Sequence, residues 1–164
     1  MTGVQTCALP ICVLIAPLDL AVGRVDGEHA RRPFVVAGTV FGIRGWIDAT
    51  DLNTGKQAWR TYTIPGAGEP GNETWKDGKE HWKHGGASVW VTATYDRDTE
   101  TIYQGIGNAG PDWDTEYRPG DNKWAASVLA INAADGKIKW GYQYTPNDPY
   151  DYDEISEQDR KSVV

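Results

Sequence analysis

The sequence predicts an all-β fold built from the blades of a propeller, and two observations lead to this prediction. First, residues 49–59 and 130–140 share one pattern, Ala-x-(Asp/Asn)-x-x-(Thr/Asp)-Gly-Lys-x-x-Trp. Their final tryptophans, Trp59 and Trp140, are 81 residues apart, about two repeats of roughly 40 to 45 residues, the length of a four-stranded blade. Second, 19 Gly, 9 Pro, 8 Trp and 8 Tyr among 164 residues are typical of a turn-rich β protein. We therefore expect about three blades of a larger ring.

Each copy of the pattern is expected to form a strand, a tight turn and a second strand. The Asp or Asn bonds the backbone amides of the turn, the Gly supplies a positive φ, and the Trp fills the space between neighbouring blades. A weaker copy between them, residues 96–103, has a tyrosine in place of the tryptophan. Residues 88–94 and 127–131 are rich in β-branched and apolar side chains and are predicted to be strands.

Three long irregular segments separate the predicted strands: residues 65–81, 107–124 and 145–157. Loops of this length in a compact β protein are usually functional or disordered, and their aromatic content favours ordered surfaces. The net charge of −7 argues against binding to nucleic acid or to an anionic membrane. No apolar run approaches the length of a membrane span.

The two ends of the chain resemble translated sequencing adapters. On this interpretation residues 1–12 and 159–164 are non-native, and residues 13–158 form one partial propeller domain. Both cysteines, Cys7 and Cys12, fall in the first of these segments, so they indicate no redox compartment. A signal peptide is the alternative for the start, but a basic region and a convincing cleavage site are missing.

Several motifs together resemble the quinoprotein alcohol dehydrogenases, which use pyrroloquinoline quinone (PQQ). The motifs are Phe-Gly-Ile-Arg-Gly at 41–45, Trp-Lys-x-Gly-Gly-x-x-x-Trp at 82–90, Gly-x-Gly-Asn at 105–108, Arg-Pro-Gly-Asp-Asn at 118–122 and Tyr-Gln-Tyr-Thr-Pro-Asn-Asp at 142–148. The resemblance implies a fragment of an eight-bladed β-propeller from a periplasmic enzyme that oxidises primary alcohols to aldehydes. It also implies PQQ near the ring axis, a calcium or lanthanide ion, and a cytochrome c as electron acceptor.

The resemblance assigns the cofactor to the segment 85–90. Trp90 takes the place of the tryptophan on which the flat quinone lies, and Ser88 that of a small hydroxyl residue that bonds its edge. Gly85 and Gly86 would let the backbone approach the cofactor closely. Without the resemblance, Trp90 would be interpreted as an ordinary core residue of a strand.

The resemblance also assigns Asn108 as a metal ligand, and an amide oxygen suits a hard cation. The family's glutamate ligand is replaced by Val40, which offers no oxygen. Either the metal site was lost or rebuilt, or one wrong base changed a glutamate codon. The acidic residues between 148 and 154 lack the spacing of a calcium loop, so we interpret them as surface or loop structure.

No catalytic residue is assigned in this chain, because the family's catalytic aspartate is expected beyond Gln158. The principal hypothesis is therefore part of a quinone-dependent alcohol dehydrogenase acting on a small alcohol. The alternative is a non-catalytic propeller that serves as a scaffold or binding protein. Val40 favours the alternative, whereas Trp90 and Asn108 together favour the enzyme.

Overall fold

The structure, a computed structural model, describes residues 13–14, 33–38, 43–76 and 78–155. These residues form two four-stranded antiparallel sheets, each with its strands in sequence order, and the all-β prediction is confirmed. The strands of the first sheet are β1 (Val13–Leu14), β2 (Pro33–Gly38), β3 (Trp46–Asp51) and β4 (Gln57–Tyr62). Those of the second are β5 (Thr94–Asp96), β6 (Thr101–Ile106), β7 (Ser127–Asn132) and β8 (Ile138–Gln143).

Two short 3-10 helices, Asn72–Thr74 and His81–His84, lie in the segment between β4 and β5. In the part of the chain that the structure describes, no helix has the length and apolar character needed to cross a membrane.

The β3–β4 and β7–β8 hairpins have closely similar turns, as the repeated pattern predicts. The Asp51 carboxylate accepts hydrogen bonds from two backbone amides of its turn, at 3.0 and 2.8 Å. The Asn132 side-chain oxygen accepts one such bond at 2.9 Å. Gly55 and Gly136 have φ values of 68° and 74°, where a Cβ atom is strained. The Asp or Asn and the Gly of the pattern therefore have the local roles expected of them.

Trp59 and Trp140 occupy equivalent positions in the two hairpins, in agreement with the repeated pattern. Trp59 pairs with Ala49 across β3 and β4, and Trp140 pairs with Ala130 across β7 and β8. In both sheets the register shifts directly after this alanine. The shift is a β-bulge, which bends the outer strand locally.

The outer strand of the first sheet contacts the last turn of the second. Trp59 donates from Nε1 to the carbonyl of Ala133 at 3.0 Å, and Thr61 donates from Oγ1 to the carbonyl of Gly136 at 2.5 Å. Trp140, in the matching position, is half exposed, because among the described residues no third sheet covers it. The two sheets are therefore adjacent blades of a partial propeller.

The described residues hold two blades rather than the expected three or so. The weaker copy at 96–103 is the β5–β6 hairpin inside the second sheet and is not the outer hairpin of a separate blade. The 81-residue spacing between Trp59 and Trp140 is consequently one blade step. The extra length lies in residues 63–93 between β4 and β5, and in residues 107–126 between β6 and β7.

The hydrophobic core combines strand residues with residues of these long segments. Strands β3 and β7 supply Ile47, Leu129 and Ile131, all without solvent exposure. The fully buried core residues that the long segments add include Ile64, Ala87 and Val89. Burial of an aliphatic side chain of this size contributes about 1.5–3 kcal/mol. The long segments are thus fixed by packing, which gives a stable base to the residues that they carry.

Candidate functional site

Three irregular segments meet at a junction that is held by backbone hydrogen bonds. Residues 85–88 lie between residues 43–45 and residues 107–110. The backbone hydrogen bonds at this junction measure 2.8 to 3.1 Å and run from Gly86 N to Ile43 O, Gly45 N to Gly86 O, Ala87 N to Asn108 O, Gly107 N to Ser88 O, and Gly110 N to Gly85 O. The junction brings the segment that carries Ser88 and Trp90 beside the one that carries Asn108.

This junction explains why residues 88–94 form little of the predicted strand. Only Thr94–Asp96 pairs as a strand, whereas the Ser88 carbonyl accepts from Gly107 N at 2.8 Å. The extended chain from 88 is thus used to hold the 107–110 loop. The predicted strand at 127–131 is confirmed, since it lies within β7.

The missing side chains of Gly85 and Gly86 make room for the protein itself. A Cβ at Gly85 would lie 2.6 Å from the Trp75 ring and 2.9 Å from Ile64. Gly86 has a φ of 67°, and a Cβ there would lie 3.2 Å from the backbone nitrogen of Gly110. Close approach of these glycines to a cofactor stays a prediction.

Ser88 and Trp90 lie beside Gly107. A Cβ built on Gly107 would be 3.0 Å from Trp90 Nε1 and 3.2 Å from Ser88 Oγ, so a side chain there would displace the indole. Trp90 is 44% exposed. Part of a large flat ring is therefore open to solvent next to a hydroxyl group, an arrangement that suits a planar ligand.

The side chain of Asn108 is held by two carboxylates. Its Nδ2 group donates to Asp148 Oδ2 at 3.0 Å and to Asp151 Oδ1 at 2.7 Å. Its Oδ1 atom is buried and has no hydrogen-bond partner among the described residues. An unpaired buried acceptor costs about 1–3 kcal/mol. A cation bound to Oδ1 would remove this cost, so Asn108 fits the metal-ligand role that the resemblance implies.

The surroundings of Asn108 are strongly negative. Asp112 is partly buried, and this burial raises its pKa above the ordinary value, with the charges of Asp151, Asp153 and Asp148 raising it further. The acidic residues of 148–154 were interpreted as surface or loop structure. That interpretation is incomplete for Asp148 and Asp151, which bond the Asn108 side chain.

The described residues contain no group of three or more His, Cys, Asp or Glu side chains that could hold a metal. A cation bound to Asn108 Oδ1 would therefore take its other ligands from outside a cluster of this kind. Val40, the position predicted to lack the glutamate ligand, lies outside the described residues, as do Gln158 and the terminal segments 1–12 and 159–164.

Arg118 joins the two loops that carry these polar residues. It has no solvent exposure, and its guanidinium group donates to five oxygens. The acceptors are Pro111 O at 2.9 Å, Asp112 O at 2.7 Å, Asn122 Oδ1 at 2.7 Å, Asn147 Oδ1 at 2.9 Å and Asp148 O at 2.6 Å. Burial lowers the pKa of Arg118, and the nearby Asp148 opposes this shift. All five N–H donors of the side chain are used, so the loops are tied rigidly together.

Sequence reasoning did not find the roles of Arg118, Asp148 and Asp151. Arg118 was noted only as the first residue of Arg-Pro-Gly-Asp-Asn at 118–122, and nothing in that motif indicates burial. The signal that could have found Asp148 and Asp151 is the cluster of aspartates around residue 150. Its role is visible only in the structure, where this loop packs against Asn108.

Comparison with known proteins agrees with this architecture. Residues 35–158 match the family model described as PQQ: glucose/ethanol/alcohol dehydrogenase, beta-propeller domain. Because the match includes more than half of the chain, the chain belongs to this β-propeller family. The chain is thus a partial propeller of the quinoprotein dehydrogenase type.

Individual relatives are similar over most of this chain. The quinohemoprotein alcohol dehydrogenase ADH IIB of Pseudomonas putida is 40% identical over 130 residues, covering 70% of this chain and 18% of that protein. Subunit 1 of the methanol dehydrogenase (cytochrome c) of Methylorubrum extorquens is 37% identical over 134 residues, covering 71% of this chain and 21% of that protein.

A solved structure is also similar to most of this chain. A europium-containing methanol dehydrogenase superposes with a TM-score of 0.69 at 33% identity, covering 77% of this chain and 25% of that chain. This chain therefore spans a quarter or less of the length of these relatives.

Proposed function

We propose that this chain is part of a quinone-dependent dehydrogenase that oxidises primary alcohols to aldehydes. One observation carries the proposal. The buried Asn108 Oδ1 atom has no hydrogen-bond partner among the described residues, and its side chain lies beside two carboxylates. The neighbouring Gly107 leaves room for Trp90, whose Nε1 would lie 3.0 Å from a Cβ at that glycine.

Gln104 Oε1 and Glu154 Oε2 are also buried and unpaired among the described residues. It is therefore the position of Asn108 beside the segment of Ser88 and Trp90 that favours a ligand site over a scaffold. Family membership supplies the class of cofactor that these groups suit.

PQQ and a calcium or lanthanide ion are the cofactors that we assign to this site. Trp90 would support the ring plane, Ser88 would bond its edge, and Asn108 Oδ1 would bind the ion. When bound, the quinone with its ion supplies the electron acceptor for the alcohol. The lanthanide alternative is supported by the europium-containing structure among the relatives.

The base that accepts the alcohol proton is proposed to lie beyond Gln158, as the family resemblance implies, and no residue of this chain is assigned to that role.

The electrons are proposed to pass to a cytochrome c, in the periplasm. The name of the Methylorubrum extorquens methanol dehydrogenase supports the acceptor, and the compartment follows from the family resemblance.

A non-catalytic propeller is the second candidate function. The observation that favours it is Val40, where the resemblance places a glutamate ligand. Loss of one charged oxygen weakens the binding of a hard cation strongly. A binding protein with this fold would keep the blades and the loops but bind neither metal nor quinone.

The two candidates are separated by alcohol oxidation in the full-length protein that contains this chain. The assay measures PQQ- and metal-dependent oxidation of a primary alcohol with an artificial acceptor. We expect poor activity with Val40 and restoration by Val40→Glu. Equal activity in both forms refutes the role given to position 40, and inactivity of both forms favours the non-catalytic propeller.

A further inference from the structure

Asp148 accepts four hydrogen bonds: one from Asn108, two from its own loop and one from Arg118. Its Oδ2 atom accepts from Asn108 Nδ2 and from Tyr152 N, both at 3.0 Å, and its Oδ1 atom accepts from Tyr150 N at 2.9 Å. Its backbone carbonyl accepts from Arg118 at 2.6 Å. The loop is thus wound around one buried carboxylate, whose orientation is fixed on both oxygens.

This arrangement determines which end of the Asn108 amide faces the proposed ion. A carboxylate can only accept hydrogen bonds, so Asp148 and Asp151 both select the NH2 end of the amide. The reversed amide would place Oδ1 against two carboxylates and lose both hydrogen bonds. Oδ1 is therefore directed away from Asp148 and Asp151, and within the described part of the chain it is this atom that has no hydrogen-bond partner.

The two carboxylates differ in how firmly they are held. Asp148 is 3% exposed and accepts from its own loop, whereas Asp151 is partly exposed. The buried Arg118 fixes the backbone of Asp148 to the loop that begins after β6, which also carries Asn108. Asp148 is consequently the rigid reference for the Asn108 side chain.

We propose that Asp148 is a positioning residue: it holds the Asn108 amide so that Oδ1 is presented to a hard cation without itself binding that cation. The inference rests on the proposed metal-ligand function of Asn108. Partners of this kind, which orient a metal ligand, typically change metal affinity by about 10–100-fold when removed.

The test compares Asp148→Ala with Asp148→Asn in the whole 164-residue chain. Every variant carries Val40→Glu, because the glutamate is expected to supply the missing oxygen ligand, and the Val40→Glu chain is the reference called wild type below. Both substitutions remove the same negative charge. Asparagine can place its oxygen at the present Oδ2 position, which keeps the bonds from Asn108 and Tyr152 and loses the one from Tyr150. Alanine loses all of them. The two variants therefore differ in the hydrogen bonds from Asn108 and Tyr152 but not in charge.

The metal measurement is a titration with Tb³⁺ alone, followed by luminescence excited through the tryptophans. We expect Asp148→Ala to bind about tenfold or more weakly than Asp148→Asn. Glu116→Gln, an exposed charge removal in the same loop as Asn108, is the control and should bind as the wild type does. Equal losses in the alanine and asparagine variants would mean that only charge matters, and the positioning role would be overturned.

A second readout needs no metal. The side-chain amide protons of Asn108 should exchange slowly with water in the wild type and in Asp148→Asn, and as fast as those of an asparagine in an unstructured peptide in Asp148→Ala. Circular dichroism and the unfolding midpoint show whether each variant is folded. Unchanged exchange in a folded Asp148→Ala would overturn the proposal even if metal binding changes.

The two readouts separate this proposal from the proposed function. A wild type that binds no Tb³⁺ refutes the metal-ligand function, and the amide exchange then decides alone whether Asp148 orders Asn108. A wild type that binds Tb³⁺, with equal affinities in the two Asp148 variants, keeps the function and rejects the positioning role.

Discussion

The contact between the two blades predicts that Gly136→Ala destabilises the chain more than Gly55→Ala. The two glycines occupy the same place in equivalent turns, with φ values of 74° and 68°. The left-handed conformation costs an alanine about 1–2 kcal/mol at either site. A Cβ on Gly55 would meet nothing within 4 Å, whereas one on Gly136 would lie 2.5 Å from the Trp59 ring.

The ring has little freedom to move away, because Trp59 Nε1 is bonded to the Ala133 carbonyl at 3.0 Å. Overpacking of this kind adds about 1–3 kcal/mol. We therefore expect losses of about 1–2 kcal/mol for Gly55→Ala and about 2–5 kcal/mol for Gly136→Ala. Denaturant unfolding of both variants gives the two free energies.

A double-mutant cycle identifies the source of the extra loss. In a Trp59→Ala background the clash with the ring is absent and the contact with Thr61 Oγ1 at 2.7 Å remains, so Gly136→Ala should cost less than in the wild-type background. Equal losses for Gly55→Ala and Gly136→Ala in the wild-type background would refute the close packing of Trp59 on the neighbouring blade.

Three further predictions concern the loops and the termini. Arg118→Lys should lower the free energy of unfolding by about 3 kcal/mol or more, since several buried oxygens lose their donor. The control, Arg97→Lys at an exposed position, should change it by no more than about 0.5 kcal/mol. Unfolding midpoints of the two variants measure the difference. Burial raises the pKa of Asp112 above 3.8, so the folded state binds its proton more tightly and ionisation destabilises the fold as pH rises. Asp112→Asn should therefore stabilise the chain at neutral pH and lose this advantage below pH 3.8, and an advantage that does not depend on pH would contradict the assigned cause. Removal of residues 1–12 and 159–164 should change the unfolding free energy by no more than about 0.5 kcal/mol, and a loss of several kcal/mol would show that these segments belong to the fold.

The hairpins were predictable because their information is local. An Asp or Asn that bonds turn amides, a Gly with positive φ and a Trp at fixed spacing specify the β3–β4 and β7–β8 turns without reference to the rest of the chain. The number of blades was not predictable in this way. It depends on where the long segments 63–93 and 107–126 are inserted, and their irregular backbone has no periodic signal.

The candidate site was likewise predictable only in part. The family motifs identified Trp90, Ser88 and Asn108, and the structure brings their segments together through Gly107. The contacts of Asn108 with Asp148 and Asp151 span 40 and 43 residues. Such pairings depend on how two irregular loops pack, which no local pattern encodes.

The most direct test of the metal-ligand role of Asn108 is the position of a bound ion. Crystals of the Val40→Glu chain soaked with Tb³⁺ would be measured at a wavelength where terbium scatters anomalously. We predict an anomalous peak about 2.3–2.6 Å from Asn108 Oδ1, the distance of an oxygen ligand to a cation of calcium-like size, and no such peak when Asn108→Ala is added. Peaks confined to exposed carboxylates, with Asn108 Oδ1 still unpaired, would contradict it.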